Sequence, residues 1–417
     1  MERGEGAAMS DLIKRSAYPW LLLAGLFAAN WFYQIDRALF GVMLIPIQAE
    51  TGLSDVQAGL CDTVLFVVYA CLVPLAGMIG DRFDRARIIP VIVILWSGMT
   101  AATGLAGGFL SFVFLRSFAT TSPQAFYGPS AYALIAEHHE RTRTAALSIH
   151  QSAYYFGLLT SGAIVAGILG WVNSWHVVYY LFGAAGAALG LWLLFFLRPE
   201  AKPTSAVSRP KLLAGFKAFF HSPGALVGST AFVAIVFVNN AYAAWAPKFA
   251  AVKFGLDPAK AAMSAMFYYN VSSLAAILLV GWLSDRMVAR YPRFRMFAMA
   301  GALAVGAPVL VVFGQASSVF LTWLSIVLFG IVRAVVEANM FANVFDQLPS
   351  ETRSSAVGAM SVFAALFGSL SPLFVGVLSD RFGTNGFEIG FATLGGLGLC
   401  SAIALSVFAC RKRKVLP

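Results

Sequence analysis

The sequence predicts an all-helical membrane protein with twelve transmembrane helices in two pseudo-symmetric six-helix bundles. Two features of the composition indicate a membrane: 59% of the 417 residues are hydrophobic and only 12% are charged, whereas a soluble protein carries about 25% charged residues. The mean hydropathy of +0.78 leaves too little polar surface to cover a soluble globule. In addition, a series of long apolar runs along the whole chain predicts the number of helices.

Twelve apolar runs are long enough to span a bilayer, since roughly 20 helical residues cross about 30 Å of hydrocarbon. The predicted spans are 20–47, 56–79, 88–106, 109–136, 145–169, 174–197, 223–247, 261–283, 296–315, 319–345, 355–378 and 387–410. The longest polar stretch, 198–222, is rich in Pro, Ser and Lys and predicts a cytoplasmic linker. It separates an N-terminal bundle, residues 1–197, from a C-terminal bundle, residues 223–417.

Basic residues are distributed unevenly between the loops on the two sides. If both termini and the linker lie on one side, that side holds most of the 29 Lys and Arg residues, and the other holds only Lys248, Lys253, Lys260 and Arg381. The positive-inside rule then predicts a multi-pass protein of the cell inner (plasma) membrane with both termini in the cytoplasm. The net charge of +10 is explained by this topology and does not indicate nucleic-acid binding.

Several classes of function lack their sequence signals. The four cysteines, Cys61, Cys71, Cys400 and Cys410, lie in or at the ends of apolar runs and do not form the pattern of a disulfide framework. The five histidines show no metal-ligand spacing. The sequence contains neither a phosphate-binding loop nor a nucleophile elbow. We therefore expect no enzymatic activity, no cofactor and no metal.

A short motif recurs at corresponding places in the two halves. Gly77-Met-Ile-Gly-Asp81-Arg82 closes the second span, and Gly281-Trp-Leu-Ser-Asp285-Arg286 closes the eighth. Such a repeat predicts two similar bundles that face each other. The cleft between them is the expected place for a transported solute.

The extended motif Gly77-x-x-x-Asp81-Arg82-x-x-Arg85-x-Arg87 resembles the signature loop of the major facilitator superfamily, with Asp84 in place of a family glycine. Span count, linker and orientation extend the resemblance to nearly the whole chain. It implies a two-bundle solute carrier that alternates between outward-open and inward-open states.

Two branches of the superfamily are similar to this chain. The stretch Asn30-x-x-x-x-x-Asp36-Arg37 resembles the spinster-like lipid transporters, and Trp245-Ala-Pro247 resembles the anion:cation symporters. Both branches usually place a proton-linked Glu soon after the arginine of the fourth span. This chain has Gln124 there, which cannot titrate, so coupling at that position is in doubt.

Five residues of the repeated motif are predicted to act in gating. A carboxylate at a helix end that pairs with arginines of its own loop, or of the other bundle, must lose that pair when the bundles rock. The alternative is that the loop arginines only fix the topology. The predicted gating residues are Asp81, Arg82, Arg85, Asp285 and Arg286.

Ionisable residues inside spans are the strongest functional signal, because each costs roughly 2.5 to 3.5 kcal/mol at mid-membrane. Arg37 and Arg116 are predicted to bind an anion, since a guanidinium stays charged and grips a carboxylate through two hydrogen bonds. The alternative is that each arginine is satisfied by a membrane carboxylate or by backbone carbonyls and touches no solute.

Asp36 and Glu337 are the predicted proton-coupling residues. Asp36 and Arg37 are consecutive and point about 100° apart on a helix, so they face different neighbours. The alternative for Asp36 is a permanent salt bridge that ties the first helix to another. Glu337 shares a helical face with Arg333, and the pair can form a simple salt bridge. The functional alternative is that Glu337 accepts the proton that Gln124 cannot.

Polar and aromatic residues on the spans expected to line the cleft complete the predicted substrate site. Buried hydrogen bonding between helices and aromatic packing are the alternative roles for these side chains. The residues are Tyr33, Gln34, Gln124, Tyr127, Asn239, Asn240, Trp245 and Asn339.

The sequence thus predicts a monomeric secondary active transporter that moves a small organic anion, such as a carboxylate, by alternating access. A proton or counter-solute gradient would drive it, with proton symport favoured. One alternative is a spinster-like exporter of lysolipid or another amphipath. A second, from another functional class, is a transporter-like membrane sensor.

Overall fold

The computed structural model describes residues 2–80, 84–139, 142–198, 217, 219–348 and 353–410, and nearly all of these residues are helical. The first half contains α1 (Glu2–Val42), α2 (Leu44–Thr51), α3 (Asp55–Gly80), α4 (Arg85–Thr103), α5 (Phe109–Phe112), a π-helical segment (Val113–Thr120), α6 (Thr121–His138), α7 (Arg143–Val172) and α8 (Trp175–Phe196). The second half contains α9 (Pro223–Phe254), α10 (Pro258–Arg290), α11 (Phe294–Gln315), α12 (Val319–Phe345), α13 (Arg353–Gly368), α14 (Leu370–Phe382) and α15 (Thr384–Cys410).

The predicted all-helical membrane fold is confirmed. Within the described ranges, ten helical segments are long and apolar enough to cross a membrane. The first and fourth predicted spans correspond to two further helical runs, α1 and the run from α5 through α6. Most of the predicted linker lies outside the described residues.

Local sequence explains where several helices begin and end. The side chain of Asp257 accepts a hydrogen bond from the backbone N–H of Lys260, and Pro258 occupies the first turn of α10. Helix α9 ends at Gly255, whose φ of 61° lies in the left-handed region that glycine tolerates. The connection from α9 to α10 is therefore a tight turn, and the two helices are antiparallel neighbours.

The two halves meet along two helix pairs, α3 with α14 and α7 with α10. Glycines permit the close approach, because a Cβ at Gly59 would lie 2.4 Å from the carbonyl oxygen of Pro372 and a Cβ at Gly162 would lie 2.7 Å from that of Ala262. The hydroxyl of Thr63 also donates to the carbonyl of Ser369 at 2.7 Å. Small residues thus bring the backbones of the two halves together on either side of a central cavity.

A π-helical segment, Val113–Thr120, interrupts the helical run of the fourth predicted span. The Thr120 hydroxyl donates to the carbonyl of Leu115 at 2.8 Å, and the Thr121 hydroxyl donates to the carbonyl of Arg116 at 3.3 Å. These side chains satisfy carbonyls within the widened turn, a geometry often found at functional sites. The segment was not predicted, and it carries Arg116.

Candidate functional site

A cavity of about 250 Å³ lies between the two halves. Its wall combines α1, α3, the π-helical segment and α7 of the first half with α9, α10 and α13 of the second. Much of the lining is aromatic or aliphatic. Five of the predicted substrate-binding residues line the cavity: Gln34, Arg37, Arg116, Asn239 and Asn240.

Arg37 brings a positive charge to the cavity wall without a carboxylate partner among the residues that the structure describes. It is half-buried, and its Nη1 donates to the Tyr33 hydroxyl at 2.8 Å. Its Cζ lies 5.6 Å from the ring centroid of Tyr33, 5.1 Å from that of Phe66 and 5.0 Å from that of Tyr69. Cation–π contacts orient the guanidinium but supply no counter-charge. The arrangement is therefore suited to receive an anion.

Arg116 has a carboxylate partner on the same wall. It is 7% exposed, and its Nη2 donates to Oδ1 of Asp62 at 2.6 Å. Its Cζ also lies 4.3 Å from the ring centroid of Phe40, and its Nη1 is buried without a hydrogen-bond partner. This pairing corresponds to the alternative in which a membrane carboxylate satisfies the arginine.

Asp36 is enclosed behind the cavity wall. Its Oδ1 accepts a hydrogen bond from the Thr100 hydroxyl at 2.8 Å, and its Oδ2 accepts one from Nε2 of Gln124 at 2.6 Å. Asp36 is 7% exposed and does not line the cavity. The structure thus places Gln124 against Asp36 and away from the lining. Both of these donors are neutral groups.

Arg333 and Glu337 form a salt bridge that is hydrogen-bonded to the first half. Nε of Arg333 lies 2.7 Å from Oε1 of Glu337, and the Tyr155 hydroxyl of α7 donates to Oε2 of Glu337 at 2.9 Å. Arg333 is fully buried and also donates to Oδ1 of Asn270 at 3.3 Å. The salt bridge between residues 333 and 337 is therefore present, and it extends across to the first half through a tyrosine.

Four other predicted substrate residues lie outside the cavity lining. Tyr33 contacts Arg37, as described above. Tyr127 donates to the carbonyl of Leu26 at 2.7 Å, and Trp245 donates to the carbonyl of Pro372 at 2.9 Å. Asn339 donates to the carbonyl of Val335 at 2.9 Å. The last three side chains are buried and hold helix backbones.

The predicted gating residues of the first half are only partly described. Asp81 and Arg82 lie outside the described residues. Arg85 forms a salt bridge with Glu137 at the end of α6. Both residues belong to the first half, so this bridge fastens the start of α4 to the end of α6.

The second half has an equivalent contact between its own helices. Nη2 of Arg295 lies 3.0 Å from Oδ1 of Asp285, and its Nη1 lies 2.6 Å from Oδ2 of Asp346. Arg286 instead packs on Trp282, with its Cζ 3.8 Å from the ring centroid. The ion pairs described at this end of the molecule each lie within one half.

At the opposite end, a polar cluster that was not predicted joins the halves. Asp55, the first residue of α3, forms a salt bridge with Lys248 of α9 and accepts a hydrogen bond from the Ser379 hydroxyl at 2.5 Å. The carboxylate of Asp380 accepts from the backbone N–H of Asp55 at 2.8 Å and of Val56 at 2.9 Å. Asp380 of α14 thus caps the N-terminus of α3 from the other half.

Beside this cluster, Glu50 fastens the end of α2 to the start of α8. Its Oε1 lies 2.8 Å from Nε2 of His176, and its Oε2 accepts from Nε1 of Trp175 at 2.7 Å. The hydrogen bond with His176, followed by that from Trp175, lowers the pKa of the Glu50 carboxyl. An ionised Glu50 therefore matches the two groups that face it.

The site predicted from the sequence left out part of the cavity wall on α3. The sequence marks Asp62 as an ionisable residue inside a span, but hydration near the outer end of that span was the favoured interpretation. Asp62, Phe66 and Tyr69 all line the cavity, and none was among the predicted site residues. Their spacing of four and then three residues places them on one helical face. A membrane carboxylate with aromatic residues on its face was therefore a usable signal.

Comparisons with known proteins agree with this architecture. Residues 26–372 match the sequence model of the Major Facilitator Superfamily. The cis,cis-muconate transport protein of Acinetobacter baylyi is 25% identical over 403 residues, covering 91% of each chain. Human protein spinster homolog 1 is 26% identical over 399 residues, covering 88% of this chain and 74% of its own length.

A solved structure supports the fold independently of sequence. It is that of a bacterial homologue of the human lysosomal transporter Spinster in an inward-facing, unoccupied conformation. It is 21% identical, covers 94% of this chain and 95% of its own, and superimposes with a TM-score of 0.77. The predicted resemblance to a two-bundle carrier fold is confirmed.

Proposed function

Because this chain belongs to the Major Facilitator Superfamily, we propose that it is a secondary active transporter of a small organic anion, such as a carboxylate. Transport would proceed by alternating access across the cell inner membrane, with both termini in the cytoplasm. The muconate transport protein among its relatives supports an organic acid as the type of cargo.

The observation that carries the proposal is the state of Arg37. A cation in the membrane interior is costly unless it is paired or faces a hydrated site. Arg37 lines the central cavity and contacts three aromatic rings, and no carboxylate within the described residues pairs with it. An anionic solute supplies the missing counter-charge through charge-assisted hydrogen bonds.

Alternating access is supported by where the halves touch. The cluster around Asp55 and the close packing of Gly59 on Pro372 join the halves at one end. Ion pairs at the other end, such as Arg85 with Glu137, stay within one half. Opening the Asp55 end requires contacts between halves to break, while the pairs within each half move as rigid units.

Proton coupling is assigned in this proposal to Asp36 and Glu337. Asp36 is held by two neutral donors, so it can exchange a proton without losing a cationic partner. Glu337 joins the halves through Tyr155, so a change in its protonation would alter a contact that must move during transport. Symport of a proton with the anion follows if Asp36 is protonated when Arg37 is occupied.

Uptake of labelled organic acids into proteoliposomes tests the proposal. Arg37→Ala is expected to abolish uptake, and Arg37→Lys to retain a fraction of it, because lysine keeps the charge but loses the two-bond geometry. Arg290→Ala is the control, since Arg290 is an exposed arginine that lies against Tyr291 and outside the cavity wall. Full uptake by Arg37→Ala would contradict the proposal.

An amphipath exporter related to spinster is the second candidate. The apolar part of the cavity wall and the similarity to human protein spinster homolog 1 favour it. Lysolipid and organic acids can be compared as competitors in the same liposome assay. Competition by lysolipid alone would favour the exporter. Solute binding without any movement across liposomes would instead favour a sensor.

A further inference from the structure

We propose that the central cavity takes a monovalent organic anion with an apolar body, and that Asp62 sets this valence by neutralising Arg116. The inference rests on the proposed function, in which Arg37 receives an anion. It adds the charge of the substrate and names a residue that determines specificity.

The cavity wall carries a net positive charge. The lining contains two arginines, Arg37 and Arg116, and one carboxylate, Asp62. Asp62 lies 2.6 Å from Arg116, so these two charges cancel locally. Arg37 remains, and the lining of the described residues carries one net positive charge. One negative charge on the substrate balances it.

Asp36, just behind the wall, does not change the preference for a monovalent over a divalent anion. If Asp36 is protonated, a monovalent anion leaves the site neutral and a divalent anion leaves one excess negative charge. If Asp36 is ionised, a monovalent anion leaves one excess charge and a divalent anion leaves two. In a medium of low dielectric constant each unbalanced charge is costly, so the monovalent anion is favoured over the divalent one in both protonation states. It is favoured over a neutral solute when Asp36 is protonated, which is the state that proton symport requires.

The surroundings of Arg37 define the rest of the substrate. Phe66 and Tyr69 lie over its guanidinium, and Leu65 and Met266 add apolar surface to the same cavity. A carboxylate bound to Arg37 is therefore next to aromatic rings, where a flat or aliphatic body is better accommodated than a second charged group. A cavity of about 250 Å³ suits a solute smaller than the drug-sized ligands of typical pockets.

The role of Asp62 follows from the net charge of the cavity lining. Arg116 has a buried Nη1 without a partner, and its Nη2 is occupied by Asp62. Replacing Asp62 by the isosteric asparagine removes the neutralising charge and releases Arg116. The lining then carries two net positive charges, which match a divalent anion.

Three matched probes test the valence on purified protein: benzoate, its neutral analogue benzamide, and the divalent terephthalate. Binding by calorimetry is expected to favour benzoate over each of the other two by at least tenfold, which corresponds to about 1.4 kcal/mol. Equal affinity for benzoate and benzamide, or tighter binding of terephthalate, would overturn the inference.

The variant Asp62→Asn is expected to shift the affinity ratio toward terephthalate by at least tenfold. Glu388→Gln is the control, because it also removes a carboxylate from a salt bridge, here with Lys253, but lies outside the cavity lining. Its ratio should equal that of the unmodified protein. An unchanged ratio in Asp62→Asn, or an equal shift in the control, would overturn the role of Asp62.

The double variant Asp62→Asn/Arg116→Gln covers the case in which the single variant does not fold. In this variant the cavity lining again carries one net positive charge, so the preference for benzoate should return. A preference for terephthalate would refute the idea that the net charge of the lining sets the valence of the substrate. Arg37→Ala distinguishes failure of the proposed function from failure of this inference. If Arg37→Ala binds benzoate normally, the proposed function is refuted. An unchanged affinity ratio in Asp62→Asn refutes only the role of Asp62 in selecting a monovalent anion.

Discussion

Removing the charge of Asp55 is expected to loosen the contact that joins the two halves at one end of the molecule. The Asp55 and Lys248 side chains are 8% and 16% exposed, so their salt bridge is largely shielded from water. In Asp55→Asn the side chain keeps its size and a hydrogen-bonding oxygen for Ser379, but it loses the ionic part of the contact. A hydrogen bond to a charged group contributes about 1.5 to 3 kcal/mol.

That loss translates into a shift of conformational populations. If the contact is present only when this end is closed, the equilibrium moves toward the open state by about tenfold to 150-fold. The backbone contact of Asp380 with the start of α3 is retained in the variant. We therefore expect a change in population and no loss of folding.

A buried reporter on α3 measures this shift. Thr63 is 6% exposed and donates to Ser369 across the interface between the halves, so it is covered while this end is closed. In a background without the native cysteines, Thr63→Cys should react with a membrane-impermeant maleimide at least tenfold faster when Asp55→Asn is present. Glu388→Gln is the control, because it breaks a salt bridge with Lys253 inside the second half. Equal labelling with and without Asp55→Asn, or equal acceleration by Glu388→Gln, would refute the reasoning.

Three further predictions concern coupling, stability and packing. Asp36→Asn should flatten the increase of uptake at acidic external pH in proteoliposomes, and a wild-type pH profile in this variant would remove Asp36 from coupling. Glu337→Gln leaves the buried Arg333 without its charge partner, so thermal unfolding in detergent should show a loss on the order of 3 kcal/mol; unchanged unfolding would show that the salt bridge does not stabilise the fold. Gly59→Ala places a Cβ 2.4 Å from the carbonyl of Pro372, so it should separate the halves and raise labelling of the same reporter cysteine. Labelling at the parental rate would mean that the interface adapts without opening.

Much of the fold could be predicted because the bilayer imposes length and polarity on each span. The polar breaks located the spans to within a few residues, as with the run 296–315 and helix Phe294–Gln315. The π-helical segment at Arg116 was not predictable in this way. Threonine hydroxyls satisfy backbone carbonyls in its widened turns, and hydropathy does not record that geometry.

The sequence identifies the charged residues whose burial in a membrane costs free energy, but it does not identify the residues that pair with them. The cost of burial drew attention to Arg37 and Arg116, and the structure brings both to one cavity. Whether each arginine has a counter-charge depends on which helices pack together. Asp62 lies 54 residues before Arg116 in the chain, and spacing alone cannot reveal that contact.

The polar cluster at Asp55 was missed for a different reason. Its members lie at helix ends, where polar residues are common and cost little, so the sequence does not mark them as unusual. Their proximity arises only when α3 packs on α14 and α9 approaches both. Contacts between distant helix ends therefore required the structure.

A crystal structure with 4-bromobenzoate bound tests the central claim most directly, because anomalous scattering from bromine locates the ligand without ambiguity. The account predicts a bromine peak inside the cavity between the halves, with the carboxylate about 2.7 to 2.9 Å from the Arg37 guanidinium. A bromine peak outside this cavity, or a carboxylate that avoids Arg37, would contradict it.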